Sequence, residues 1–241
     1  MKKAFLFFPV LLLAIFLPAN GQNVKSILKK HFEAVGQSAI VQAEAIVITG
    51  KISQMGMELP FTVYQKKPGK VRFDAVFEDK NLIQAFDGEK GWTVNPMSGP
   101  EPVDMGISEV KNMKSMAEIE GKLYNWKKKK YKVSYEGTED FGGVNMYKLK
   151  VITSDEETMT YFISTDDYLI SKVDAKNKVQ GMDVESSKIY SDYREIQGFR
   201  FPFKNETFMM GQSAGDLEIL SFEIKKAKDV DDKLFVKPIS K

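Results

Sequence analysis

Along most of this chain apolar residues recur at every second position, and a period of two dictates strands with one greasy face. Leu59, Phe61 and Val63 alternate in this way, as do Val71, Phe73, Ala75 and Phe77. The pattern returns at Tyr147, Leu149 and Val151, at Met159, Tyr161 and Ile163, and at Phe199, Phe201 and Phe203. Turn chemistry separates the runs at Pro68-Gly69, Asp87-Gly88, Gly142-Gly143, Asp166-Asp167 and Gly211.

Only two stretches have a helical period. Val24, Ile27, Leu28, Phe32 and Val35 form one stripe, with Gly36 placed to end it. Between Pro102 and Trp126 a second stripe runs through Ile107, Val110, Met113, Met116 and Ile119. Ser108 is a plausible N-cap there, Glu109 suits the first turn, and Gly121 marks a stop or bend. The expected order is a helix, about five strands, a helical insertion, then six or seven more strands. About eleven strands therefore expose more apolar face than two modest helices can cover. Either the strands split into two sheets that cover each other, or one curved sheet wraps partly round the helices and leaves a hollow. Alternation alone leaves both open.

Residues 1–21 read as a signal peptide. Lys2 and Lys3 precede an apolar run over 4–17, Pro18 breaks it, and Ala19-Asn20-Gly21 offers small residues for cleavage. The run is shorter than the roughly 20 residues that span a bilayer. The expectation is an exported protein, soluble after cleavage, with residues 22–241 as a single domain, since no linker, repeat or low-complexity run divides them. The chain has no cysteine. That excludes disulfides, thiolate metal sites, thiol nucleophiles and a lipid-attachment cysteine. With Lys2 and Lys3 removed, basic residues match the 33 acidic ones. A neutral chain has no general attraction for nucleic acid, which is not an expected partner.

No catalytic group assembles in the sequence, and no cofactor or metal is expected. His31 is the only histidine and has no ligand or base partner at useful spacing; a structural place on the first helix is the reading. Asp87 shapes its turn, and Asp166-Asp167 and residues 229–232 lack calcium-loop spacing. Four consecutive lysines, residues 127–130, follow Trp126. They read as a solvated turn, with transient contact with anionic head groups or an acidic partner surface as the functional alternative.

One stretch is more specific. Lys66-Lys67-Pro68-Gly69-Lys70-Val71-Arg72-Phe73 is followed by Asp87-Gly88-Glu89-Lys90-Gly91-Trp92-Thr93-Val94-Asn95-Pro96. Together they resemble the LolA-like periplasmic lipoprotein carriers, the outer-membrane lipoprotein-sorting family, in which a basic residue–Pro turn opens a strand and a D-G-x-x-x-W-x-x-x-P segment closes the first β block. Tyr193 and Gly198-Phe199-Arg200-Phe201-Pro202-Phe203 look like a strand pair common among relatives. The resemblance implies a mainly β fold, an unclosed antiparallel β-barrel with the N-terminal helix and the insertion as a lid over a hydrophobic interior. It further implies a periplasmic carrier of acylated lipoprotein or lipid, with an inner-membrane release complex and an outer-membrane acceptor as partners. In the best-known carriers an Arg before the turn Pro latches the lid. Lys67 holds that place here, and a single ammonium cannot reproduce a planar fork. Lys67 is the candidate latch, with a solvated turn lysine as the alternative.

Phe61, Val63, Phe73, Phe77 and Trp92, with Met113 and Met116 from the insertion, are the candidate lining of the cavity. For any one of them ordinary core packing is the competing reading. Two other functions fit the same sequence: a lipid-binding sensor or regulatory module of the envelope, and a ligand-free β-sandwich that acts by protein contact.

Overall fold

A computed structural model describes residues 20–95, 97–179 and 182–238. The expected signal peptide falls almost wholly outside these residues, as does Pro96. Two helices open the described chain, α1 (Asn20–Val35) and α2 (Gln37–Gln42). Six strands follow: β1 (Ala45–Gln54), β2 (Met57–Lys66), β3 (Lys70–Phe77), β4 (Lys80–Phe86), β5 (Gly91–Val94) and β6 (Val103–Asp104). Helix α3 (Ile107–Met116) and a run of turns form the insertion. Seven strands complete the sheet: β7 (Lys132–Phe141), β8 (Val144–Ile152), β9 (Thr158–Ser164), β10 (Ile170–Val179), β11 (Met182–Ile196), β12 (Phe199–Met209) and β13 (Gln212–Lys225).

All thirteen strands belong to one antiparallel sheet in the order β6-β5-β4-β3-β2-β1-β13-β12-β11-β10-β9-β8-β7. This settles the choice that alternation left open: one sheet, not two layers. It has two more strands than the roughly eleven expected, the short β6 among them. β6 and β7 are its edges and do not pair, so the barrel is unclosed. The sheet nevertheless curls. Helix α3 packs on β3 and β4 through Met113, Val71 and Phe86, yet its Lys111 reaches Glu157 in the β8–β9 turn, 3.1 Å away. The insertion thus spans the seam between the edges.

The inner face carries the core. Val24, Ile27 and Leu28 of α1 pack on Leu149, Val151, Met159 and Ile163 of β8 and β9. Ile40 and Ala43, from α2 and its C-terminal end, pack on Ile46, Phe61, Phe203, Ile219 and Phe222. Each of the larger side chains among them, fully buried, contributes about 1.5–3 kcal/mol. Gly36 separates the two helices in the left-handed conformation at φ +69°, and a Cβ there would overlap the Gly198 carbonyl oxygen in the β11–β12 turn. The helix pair can sit on the sheet only because both requirements are met by glycine.

The outer face is crossed by residues 226–238, a strap containing two short 3-10 turns, Ala227–Asp229 and Asp232–Leu234. Val230 and Phe235 are buried against Ala45, Val47 and Tyr64. Lys66 donates to the Val230 carbonyl at 2.8 Å, and Arg72 donates to the Leu234 carbonyl at 2.8 Å. Among the described residues no helix is long and apolar enough to cross a membrane.

Candidate functional site

A hollow lies on the inner face of the sheet, under α1, α2 and the turn segment 118–123. It encloses about 370 Å³. Ile170, Val173, Phe199 and Phe201 form its floor, and Phe32, Val35, Ile40, Ile119 and Leu123 form its roof. Glu118, Glu120, Lys122 and Arg200 also border the hollow, and three tyrosines punctuate its apolar wall. Tyr161 is fully enclosed and burial drives its hydroxyl pKa upward; burial lifts Tyr190 to about 12. Tyr193 donates to the Ile170 carbonyl at 2.7 Å, and burial again raises its pKa. All three stay neutral in water at any physiological pH, so they do not charge the wall.

His31 borders the same hollow and is buried. Its Nδ1 lies 2.8 Å from the Tyr168 carbonyl, which can only accept, so Nδ1 carries the hydrogen. Burial lowers the pKa of the ring, against the raising effect of that bond. The imidazole is a neutral structural group here. Among the described residues no group of three or more His, Asp or Glu side chains could hold a metal.

The roof segment is tied down from several directions. Lys67 Nζ stands 2.9 Å from the Glu120 carboxylate and donates to the Val41 carbonyl at 2.6 Å. Gln37 donates to the Glu120 carbonyl at 2.9 Å, and Gln65 donates to the Met116 carbonyl. From the other side Lys129 bonds both Glu118, at 3.0 Å, and the Gly121 carbonyl, at 2.6 Å, while Tyr131 donates to Glu118 at 3.0 Å. Burial opposes the ionised form of Glu120, but the hydrogen bond and charge of Lys67 prevail and hold its carboxyl below the usual range. Lys67 therefore joins the turn before β3 to the tip of the roof, with one ammonium where a guanidinium fork would make two parallel bonds.

The insertion differs in shape from its sequence pattern. Its helix begins after Gly106, not Ser108: Glu109 accepts a hydrogen bond from the Gly106 N–H at 2.8 Å. It ends at Met116, short of the five-residue stripe, so Ile119 leaves the helix and hangs into the hollow. The lysine run forms a turn in which Lys129 is committed to the roof and Lys127 lies 5.2 Å from the Trp126 ring.

The seven candidate lining residues are dispersed, and none borders this hollow. Phe61 and Phe73 stack at 5.8 Å on the inner face of β2 and β3, in the packed cluster beneath α2. Val63 bridges that cluster and the one under α3, where Met113 is buried. Phe77 is half-buried at the end of β3, and Met116 is partly exposed. Trp92 is on the opposite face of the sheet. Its register partner Ala85 stands beside Arg72, and its indole N–H donates to the Phe235 carbonyl of the strap at 2.9 Å. A buried indole needs an acceptor, and the strap supplies one where the greasy interior does not.

The floor residues escaped the sequence for a physical reason. Phe199 and Phe201 show their alternation, but nothing in it separates a floor from a core. Tyr190 and Tyr193 lie three apart, which breaks a period of two. Between them Asp192 takes a left-handed φ of +52° and the ladder to β12 omits its pair, although the register is unchanged on either side.

No family model matches the chain, and no curated protein does. Solved structures do share its fold. A LolA superfamily protein from Nitrosomonas europaea superposes with a TM-score of 0.59 at 14% identity, covering 89% of this chain and 97% of its own. A DUF1329 family protein from Desulfovibrio piger gives 0.59 at 13%, covering 87% and 97%. A domain from Vibrio parahaemolyticus named for outer membrane lipoprotein sorting gives 0.55 at 11%, again covering 87% and 97%. The chain has the LolA-like fold over most of its length.

Proposed function

We propose that this protein is a carrier that shelters the acyl chains of a lipid or acylated lipoprotein in the hollow beneath Ile119. The observation that carries the reading is that hollow: an apolar floor and an apolar roof that do not meet, in a fold shared with proteins named for lipoprotein sorting. Its volume of about 370 Å³ is within the range of small-molecule sites, roughly 300–1,000 Å³. The protein acts by binding, not by catalysis, in keeping with His31 being committed to a backbone carbonyl.

Each methylene withdrawn from water gains about 0.8 kcal/mol, so an acyl chain cannot cross an aqueous compartment unaided. A wall of Phe, Ile and Val replaces the bilayer with a surround of similar polarity. Transfer between membrane and protein is then nearly balanced in free energy, and the roof decides its timing. Within this reading residues 1–21 direct export and are removed, residues 22–241 work as one unit in the periplasm, and delivery runs from an inner-membrane release complex toward an outer-membrane acceptor.

The test is native mass spectrometry of the protein extracted gently from a bacterial periplasm, beside a Val173→Trp variant that fills the floor. Wild-type protein should carry added mass corresponding to lipid or lipoprotein, and the variant should carry none while keeping its β-sheet circular dichroism. An empty wild-type protein, or equal loading of the filled variant, would overturn the proposal. Co-purification of an acylated protein as opposed to free lipid identifies the cargo.

A further inference from the structure

Beyond the hollow, the inner face continues along β11 toward the hairpin ends, and there it ceases to be apolar. Cross-strand partners share a face, so the register fixes which side chains stand together. Lys188 pairs with Val173 of β10 and with Thr207 of β12, and Tyr190, two residues on, pairs with Asn205. Val173 and Tyr190 both line the hollow. Lys188 and Asn205 therefore stand at its margin, on the face where the cargo is proposed to lie.

Neither is used by the fold. Asn205 Oδ1 is buried with no hydrogen-bond partner among the described residues. That is a costly condition for a polar atom, and it marks a place that takes its partner from outside. Lys188 has no hydrogen bond or ion pair among the described residues, although it extends from the middle of the longest strand. The register sets Val173 and Ala175 on one side of it and Asn205 and Thr207 on the other, so no carboxylate adjoins it on this face. Lys188 is exposed at this margin, and the sheet around its ammonium removes part of its water and lowers its pKa with no counter-charge to offset it.

We propose that Lys188 and Asn205 form a seat for the anionic head group of a lipid whose chain occupies the hollow. The ammonium donates charge-assisted hydrogen bonds to carboxylate or phosphate oxygens, the Asn205 amide donates a second, and its orphaned carbonyl accepts from a hydroxyl or water that accompanies the head. A cargo held at both ends is oriented, chain under Ile119 and head toward the hairpin ends. The inference rests on the carrier reading and narrows it to anionic amphiphiles.

The test compares laurate, 1-dodecanol and acetate on the mature protein by calorimetry or by displacement of a fluorescent probe. Wild-type protein should bind laurate about tenfold more tightly than dodecanol, the usual worth of a charge-assisted hydrogen bond. Acetate, a head without a chain, should bind far more weakly than either. In K188M the preference for laurate should fall to about one, and K188R should restore most of it; binding of dodecanol by K188M reports an intact hollow. N205L should lower the preference severalfold. Equal affinity of wild type for laurate and dodecanol, or a preference that survives in K188M, would each overturn the seat and leave the carrier reading standing, whereas acetate binding as tightly as laurate would show that the chain adds nothing and would overturn both. Binding of neither chain-bearing probe would overturn both.

Discussion

The ammonium of Lys67 is 2.9 Å from the carboxylate of Glu120, which makes the turn before β3 the anchor of the roof over the hollow. Both side chains are about 30% exposed, so solvent screens the pair and it contributes little to overall stability. Its effect is local. Lys67→Met should change the global unfolding free energy by less than about 1 kcal/mol, yet accelerate amide exchange across residues 117–123 and release of bound lipid. Unaltered exchange in that segment would remove Lys67 from the latch role.

The same pair predicts a pH effect. The folded pKa of Glu120 is depressed below its ordinary 4.5. Its contribution is therefore complete above that value and is lost as pH falls through it toward the folded pKa. Lipid release should quicken on acidification below about pH 4.5 in wild-type protein and stay flat in Glu120→Gln over the same range. Stopped-flow displacement at graded pH measures it.

His31 gives the opposite case of a buried base. Its folded pKa lies below the ordinary 6.5, so the unfolded chain binds the proton more readily. Stability should hold above that range and decline as pH falls through it. Urea titrations between about pH 7.5 and 5.5 should show this slope in wild type and its reduction in His31→Gln.

Gly36→Ala meets two obstacles together, a left-handed backbone and the Gly198 carbonyl oxygen in the space of the new methyl. Loss of about 3 kcal/mol or more is expected, with the helices loosened from the β11–β12 turn. Thermal and urea melts decide it. Gly56→Ala, a turn glycine of similar φ with open space around it, should cost clearly less.

Trp92→Phe keeps an aromatic ring but deletes the pyrrole part of the buried indole and with it the donor to the Phe235 carbonyl. Stability should fall by about 1–2 kcal/mol and proteolysis of the strap should rise. Lipid affinity should be unchanged, because Trp92 faces away from the hollow. A loss of affinity with the strap intact would contradict that placement.

The strands were legible because alternation survives from Leu59 to Phe203, and the choice of one curled sheet was legible only through the LolA-like resemblance in residues 66–96. The face each motif residue serves was not. Lys66 and Lys67 are adjacent, so a strand sends them to opposite sides: Lys66 to the strap, Lys67 to the roof. Trp92 follows Lys66 outward by register with Ala85 and Arg72, which sequence spacing across two turns cannot reveal. The hollow was displaced from Phe61 and Phe73 toward Phe199 and Phe201 because α2 fills the space over the former. Where a helix lands on a sheet is a tertiary fact, and nothing local to either element encodes it.

The two unpaired rims of the sheet, β6 and β7, are neighbours in sequence, and the only chain between them is the insertion that carries Ile119. Spreading the rims therefore strains that span together with its ties at Lys67–Glu120 and Lys111–Glu157. Aperture and occlusion are one mechanical coordinate in such a body. A force applied at either rim is therefore felt over the hollow without any contact with it.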